Sequence, residues 1–273
     1  MTKGLFIGLA GIDIIYYSEE YPDRNDKVAI PDYRTFTGGP AANEAITFSM
    51  LGGESTLITS IGRSALGKAI YADLDFYGVK VKDLSKNTDI LPFVSAILVD
   101  GAGERSIWSG QRTFSQIDWV PKMDDYDFCM CDCYMAPHSL EILRKCHGKM
   151  PICLDVDAFS ETVYDYLALA DIAILSAKVW VSIDFKRLDP RLTIIITDNG
   201  FPIKVIDGEE EYEVPVRKAN VIDTLGAGDI FHGAFAHYYY DKLLSIREAT
   251  KGAADIATLS VEYLGTREWK AHL

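Results

Sequence analysis

The sequence predicts an α/β fold of three layers, a mostly parallel central sheet with helices on both faces, together with a small additional β-sheet. Three observations carry that expectation. Apolar runs such as LFIGLAGIDI (residues 5–14) and TIIITDNG (193–200) are strand-length and almost free of polar alternation, which fits burial on both faces. From Ser55 onward such runs alternate with segments of helical spacing, the order of βαβ units with right-handed crossovers. Two pieces, about 12–35 and 93–109, break the alternation and supply the extra sheet. All 273 residues are read as one domain, a length ample for one large core.

Residues 5–14 read as one buried central strand with Asp13 at its carboxyl end. Gly8 and Gly11 do not open a helix, so they form no dinucleotide fingerprint. KVAIPDYRTF (27–36) reads as short strand pieces broken by Pro31. Gly38 and Gly39 lead into a helix with Pro40 at an early position, where its missing N–H costs little. STLITSIG is a strand, ALGKAIYADLDFYGV an amphipathic helix, and FVSAILVD with RSIWSG a hairpin turning at Gly101 to Gly103. The strands DFCMCD, ICLDVD and DIAILS are separated by the helices PHSLEILRKCHG and SETVYDYLALA. Between Ser176 and Thr193 only one short helix fits. PIKVID and EYEVPV extend the sheet, and DIFHGAFAHYYYDKLL and SIREATKGAADIATLSVEYL end the chain as helices.

With 48% hydrophobic and 25% charged residues, the composition is that of a globular protein. A formal charge of −13 argues against nucleic acid as a partner, because phosphate-backbone binding needs clustered Lys and Arg. A nucleotide stays compatible, since a local nest of amides can hold its phosphates. No stretch reaches about 18 uninterrupted apolar residues. The N-terminal run contains Asp13 and lacks a small-residue cleavage site, so no membrane partner is expected and the cytoplasm is the expected compartment. Five cysteines, an odd number, fit that compartment better than a disulfide framework. Cys129, Cys131 and Cys133 alternate along DFCMCDC and would share one face, as buried core thiols or as a metal site completed by His138.

The densest chemistry lies in DTLGAGDIFHGAFA (223–236). Gly226, Ala227 and Gly228 leave the backbone free of bulk, so that N–H groups can converge on an anion at the positive end of the following helix. Asp229 follows at once, badly placed to bind that anion and well placed to accept a proton from a hydroxyl attacking a phosphoryl group. Asp13 can accept hydrogen bonds from sugar hydroxyls, and Asn43 on the first turn after Gly39 can both donate and accept. Each has a structural alternative: a Gly and Asp helix cap, a solvated strand-end Asp, a surface Asn. Asp155 and Asp157 either organise a cation or cap the next helix. Arg105 either reaches a substrate or blunts an edge strand, and His232 is either a buried, hydrogen-bonded histidine or a catalytic one.

Asp-Thr-x-Gly-Ala-Gly-Asp-x-Phe, followed by Gly233 and Ala234, and Gly-Gly-x-x-x-Asn-x-Ala at 38–45 closely resemble the two signatures of the ribokinase-like (PfkB) family of carbohydrate kinases. The resemblance implies the ribokinase-like fold with a β-sheet lid, and ATP-dependent phosphoryl transfer to a sugar hydroxyl with Mg2+ bridging the nucleotide phosphates. It puts the catalytic base at Asp229, the anion hole at the amides of Gly226 to Gly228, and the sugar at Asp13, Gly38, Gly39, Asn43 and Arg105. It lays the nucleotide along Ser176, Thr197, Asn199, Gly200, Thr224, Gly226 and Gly228. As in some relatives, Asp223 and the Leu225 carbonyl would hold a monovalent cation, K+, and the lid would pair across a homodimer.

GGPAA, GERSI and DTLGAGDIFHGA look most like the branch of ketohexokinases and sulfofructose kinases, which implies a ketohexose-like acceptor. Tyr134, standing where a basic residue would read a sulfonated or phosphorylated sugar, points to a neutral one. Two family features are altered. An Asn-x-x-Glu motif, whose Glu positions magnesium through water, reads Ser176, Ala177, Lys178, Val179; Lys178 would then replace lost positive charge. A Thr-x-Gly-x-x-Gly stretch reads Thr197, Asp198, Asn199, Gly200, Phe201, Pro202. The alternatives are a nucleoside kinase of the same superfamily and a non-catalytic sugar-binding relative with a degraded nucleotide site.

Overall fold

The computed structural model describes residues 1–86, 88–101, 105–110 and 121–273. In chain order the first elements are β1 (Lys3–Ile7), β2 (Gly11–Tyr17), β3 (Asp32–Gly38), α1 (Pro40–Met50), β4 (Glu54–Thr59), α2 (Ala65–Phe76), β5 (Lys80–Asp83), β6 (Phe93–Val99) and β7 (Arg105–Ser109). The chain continues with β8 (Phe128–Cys131), α3 (His138–Cys146), β9 (Ile152–Val156), α4 (Val163–Leu167), β10 (Ile172–Ser176) and α5 (Ala177–Trp180). It closes with β11 (Thr193–Thr197), β12 (Ile203–Asp207), β13 (Glu210–Val214), α6 (Ala227–Ala236) and α7 (Ile246–Ser260).

Among the described residues, nine strands form one sheet in the order β13-β12-β11-β10-β9-β8-β1-β4-β5, parallel from β11 to β5 and antiparallel across β11-β12-β13. Four others form a second sheet in the order β3-β2-β6-β7. Strand alternation divides the core into two layers. Phe128 and Met130 of β8 point to the side of α1, α2, α6 and α7, whereas Cys129 and Cys131 point to the side of α3, α4 and α5. Phe6, Phe48 and Phe128 anchor the first layer, with ring centroids 5.6, 5.8 and 5.3 Å apart pairwise, and Tyr240 stacks on Phe128 at 4.2 Å. No helix among the described residues is long and apolar enough to cross a membrane.

The three-layer α/β architecture matches the sequence expectation, and several local readings are corrected. Residues 5–14 are not one strand: β1 ends at Ile7 and β2 begins at Gly11 in the other sheet. The buried Asp132 carboxylate accepts the Leu9 N–H at 2.7 Å and the Ala41 N–H at 3.2 Å, which draws the backbone off the first sheet. Asp13 therefore stands within the second sheet, paired with Phe36 and Ser95, and not at the end of a central strand. The strand pieces around Pro31 reduce to β3 after it, and the helix expected over SETVYDYLALA shrinks to α4. β8 ends at Cys131, and Cys133 takes a φ of 60°, so the three-cysteine alternation stops after two.

Helices α1 and α6 meet where side chains are absent. A Cβ on Gly233 would lie 2.5 Å from the Glu44 carbonyl oxygen and 2.7 Å from the Thr47 Cβ. Gly233→Ala is expected to destabilise the fold by about 1–3 kcal/mol through overpacking, outweighing a helix-propensity gain of about 1 kcal/mol. Urea unfolding checks this, and an unchanged or raised midpoint would contradict so close an approach.

Candidate active site

Helix α6 starts after Gly226, whose φ of 67° is left-handed and whose missing Cβ would sit 2.6 Å from Thr266 Cγ2. A left-handed residue followed by right-handed ones turns successive N–H groups to one side. The first-turn amides of Gly228 and Asp229 have no acceptor within the helix, and a Cβ on Gly228 would meet nothing within 4 Å. The helix end is thus an open cradle suited to a phosphate.

Asp229 lies on that first turn. Asn43 Nδ2, from the first turn of α1, donates to Asp229 Oδ2 at 2.6 Å. Arg267 Nη2 donates to Asn43 Oδ1 at 2.8 Å and to the Thr37 carbonyl at 3.1 Å, and Nη1 donates to the Thr266 carbonyl at 3.2 Å. Asn43 and Arg267 are both buried. Burial, then the charge of Asp155, pushes the Asp229 carboxyl up to about 7, against the lowering effects of Asn43 and His232. Burial also raises Asp13, opposed by a hydrogen bond from Ser95 and by the charge of Arg267. A side chain at Gly38 would collide with the Asp13 carboxylate, and Gly39 caps α1 at a φ of 95°. Asp13, Gly38, Gly39, Asn43, Gly226, Ala227, Gly228 and Asp229 are thereby brought to one place.

The residues expected along a nucleotide are more scattered. Ser176 and Thr197 end adjacent strands in register; the Ser176 hydroxyl is buried without a partner, and Thr197 Oγ1 donates to the Leu175 carbonyl at 3.4 Å. Asn199 and Gly200 form an exposed turn with φ values of 37° and 88°. Thr224 and Lys178 are exposed. Asp223 accepts the N–H groups of Leu225 and Gly265, both at 2.9 Å, and so ties the loop before α6 to the C-terminal segment. The backbone of Arg105 pairs with Val99, and its side chain lies outside the described residues.

Asp155 and Asp157 do not cap the following helix, which begins at Val163 after Thr162. Asp157 is exposed, whereas Asp155 is buried and faces His232, its Oδ1 3.3 Å from His232 Nε2. Two buried residues at the site carry no sequence reading, Arg267 and Glu44. Arg267 stands alone in GTREWK, with no spacing to mark it; Glu44 looks like an ordinary residue of the helix that follows Gly39.

Two cavities flank the site. One of about 250 Å³ opens at the carboxyl ends of β8 and β9, bordered by Asp132, Tyr134, Asp157 and Phe159. The other, about 290 Å³, lies between the second sheet and the loop before α6, bordered by Ile15, Tyr17, Ile97, Val99, Ile222 and Leu264. Residues 176–179 offer no carboxylate and do not fit the role of positioning magnesium. Among the described residues, the side chains close enough to share a metal are Glu44, Asp155 and His232.

The profile of pfkB family carbohydrate kinases matches residues 1–178 and 188–271. The deoxyribokinase of Salmonella typhi is 24% identical over 287 residues, covering 96% of this chain and 93% of that protein. Ribokinase from Thermotoga maritima has a similar structure, with a TM-score of 0.81 at 19% identity over 100% of this chain and 98% of that one. The nucleoside kinase of Methanocaldococcus jannaschii gives 0.81 at 18% identity over 98% and 94%. The fold is the ribokinase-like one, and the chain belongs to the pfkB family of carbohydrate kinases, phosphotransferases that act on a hydroxyl group.

Proposed function

We propose that the protein is an ATP-dependent sugar kinase in which Asp229 takes the proton of the acceptor hydroxyl. The observation that carries this reading is a carboxyl near neutrality, held by Asn43 on the same helix turn as an open phosphate cradle. A base with a value near the working pH accepts a proton and releases it readily. Bound ATP supplies the γ-phosphoryl group, with magnesium carried by its own phosphates. Asp13 and Asn43 orient the sugar, and the amides of Gly226 and Gly228 meet the charge on the transferring group, joined by that of Ala227 once it leaves the Thr224 carbonyl, which it now holds at 3.3 Å.

The second sheet serves as the lid of a single kinase domain, excluding water from the transfer. Its exposed Tyr33, Ile107 and Trp108 support pairing of two copies through the lid. The free thiols of all five cysteines support a reducing, cytoplasmic compartment. Potassium beside Asp223 and the Leu225 carbonyl stays within the reading, because Asp223 brings a carboxylate to the loop that leads into α6.

For the acceptor, GGPAA, GERSI and DTLGAGDIFHGA favour a ketohexose-like sugar. The absence of basic side chains among the described residues around the cavity by Tyr134 favours a neutral one. A second reading, a nucleoside acceptor, is favoured by the cavity beneath the lid, which lies along the same strands as Asp13 and Ser95. Its mixed lining, with Ile15, Ile97 and Leu264 beside Tyr17 and Asp223, offers apolar surface to a flat ring and polar groups to its edge.

Four outcomes are expected. The rate at limiting acceptor should fall about tenfold per pH unit below an apparent pKa of about 7, because protonated Asp229 cannot accept a further proton. Asp229→Asn should lower kcat by about 10²–10⁴, and near-full turnover in that variant would refute the base assignment. Arg267→Met should lower kcat by about 10–100-fold through a misaligned Asn43 while KM for ATP stays near its original value; Arg267→Lys should not restore the rate, since one ammonium cannot reproduce the planar fork. A coupled ADP-release assay over ketohexoses, pentoses and nucleosides should give highest kcat/KM with a ketohexose. Preference for nucleosides would favour the second reading, and no ADP release with any of them would count against both.

A further inference from the structure

Behind the Asn43–Asp229 pair, Glu44 of α1, Asp155 of β9 and His232 of α6 converge. Each offers one ligand atom, these atoms lie within 4.8 Å of one another, and all three residues are buried. Apart from the carboxyl of Asp155, no hydrogen-bonding group reaches the carboxyl oxygens of Glu44, although the residue is wholly enclosed. The group that faces it is a second carboxyl, that of Asp155.

The histidine is oriented as a ligand would be. Its Nδ1 lies 2.6 Å from the Gly228 carbonyl, which only accepts, so the ring proton sits there. In the neutral ring this leaves a lone pair on Nε2, which lies 3.3 Å from Asp155 Oδ1. Burial pushes both carboxyls well up; once ionised they repel each other and the Nε2 lone pair, and each buried ion costs several kcal/mol when uncompensated.

One cation would relieve both conflicts, and we propose that Glu44, Asp155 and His232 bind a divalent first-row transition ion, Zn2+ or Mn2+. Mixed carboxylate and imidazole donors suit these ions, and a backbone carbonyl holding the other ring nitrogen is the usual support for a metal-bound histidine. The site is distinct from the magnesium that a nucleotide carries, and the ion touches no substrate. Glu44 adjoins Asn43, and His232 lies three residues beyond Asp229. The ion therefore ties α1 to α6 through β9 and fixes the spacing of the pair in front of it.

Metal content tests this without reference to turnover. The purified protein is stripped with chelator, incubated with Zn2+ or Mn2+, gel-filtered and analysed by elemental mass spectrometry. About one equivalent per chain is expected for the wild type, falling below about 0.1 for Glu44→Gln and for His232→Asn. The thermal midpoint should rise on loading in the wild type and stay still in the variants. Cobalt loading should give no thiolate charge-transfer band, which separates this site from the five cysteines. A folded wild type that binds no ion, or binding that survives both substitutions, would overturn the proposal and leave a proton shared between Glu44 and Asp155. Should either variant fail to fold, the wild-type stoichiometry and the cobalt spectrum decide alone.

Discussion

One side-chain amide joins the parts on which the active site depends. Asn43 gives its N–H to Asp229 and takes one from Arg267, and this orientation is electrostatically determined. Arg267 can only donate and an ionised Asp229 can only accept, so a flipped amide would face a donor with a donor and an acceptor with an acceptor. The link requires α1 and α6 to lie nearly in backbone contact, which Gly233 and the alanines of the two helices permit. It also requires a residue from the far end of the chain, 224 positions away. Tertiary packing therefore positions Asp229, and the helices serve that packing.

The surroundings set Asp229 apart from the carboxylates that hold loops. Asp132 accepts backbone N–H groups from Leu9, Ala41 and Tyr134, and Asp83 accepts those of Ile61, Gly62 and Ser85 together with the Tyr71 hydroxyl. Such groups are held by several donors and organise loops. Asp229 has one short hydrogen bond and acidic neighbours, so burial outweighs stabilisation of its charge and the group stays basic. Positive charge is placed sparingly at this site against a strongly acidic background, with open amides at the start of α6 and Arg267 turned inward to hold Asn43.

What the sequence made legible is what depends on near neighbours. DTLGAGD is a turn and a helix start, and its small residues and carboxylate have that meaning in any fold; GGPAAN works in the same way. The chain between Ile7 and Gly11 deceived because an apolar run reads as one strand, while the carboxylate that diverts it, Asp132, lies more than a hundred residues later. Cys133 fits a period of two until the backbone leaves the strand. Arg267 and Glu44 were invisible for a shared reason: a buried charge is recognised by the partners that surround it, and those partners come from other elements. Asp155 offered a choice between cation and cap, which only the late start of α4 and the direction of its side chain resolved against the cap.

Everything in this site turns on Asp229 being held near neutrality in the resting protein. Carboxyl-selective 13C NMR, with the Asp229 resonance assigned by its loss in Asp229→Asn, measures this directly. A titration centred at about 7 is expected; a midpoint near the ordinary aspartate value of about 4 would mean that burial does not hold Asp229 near neutrality.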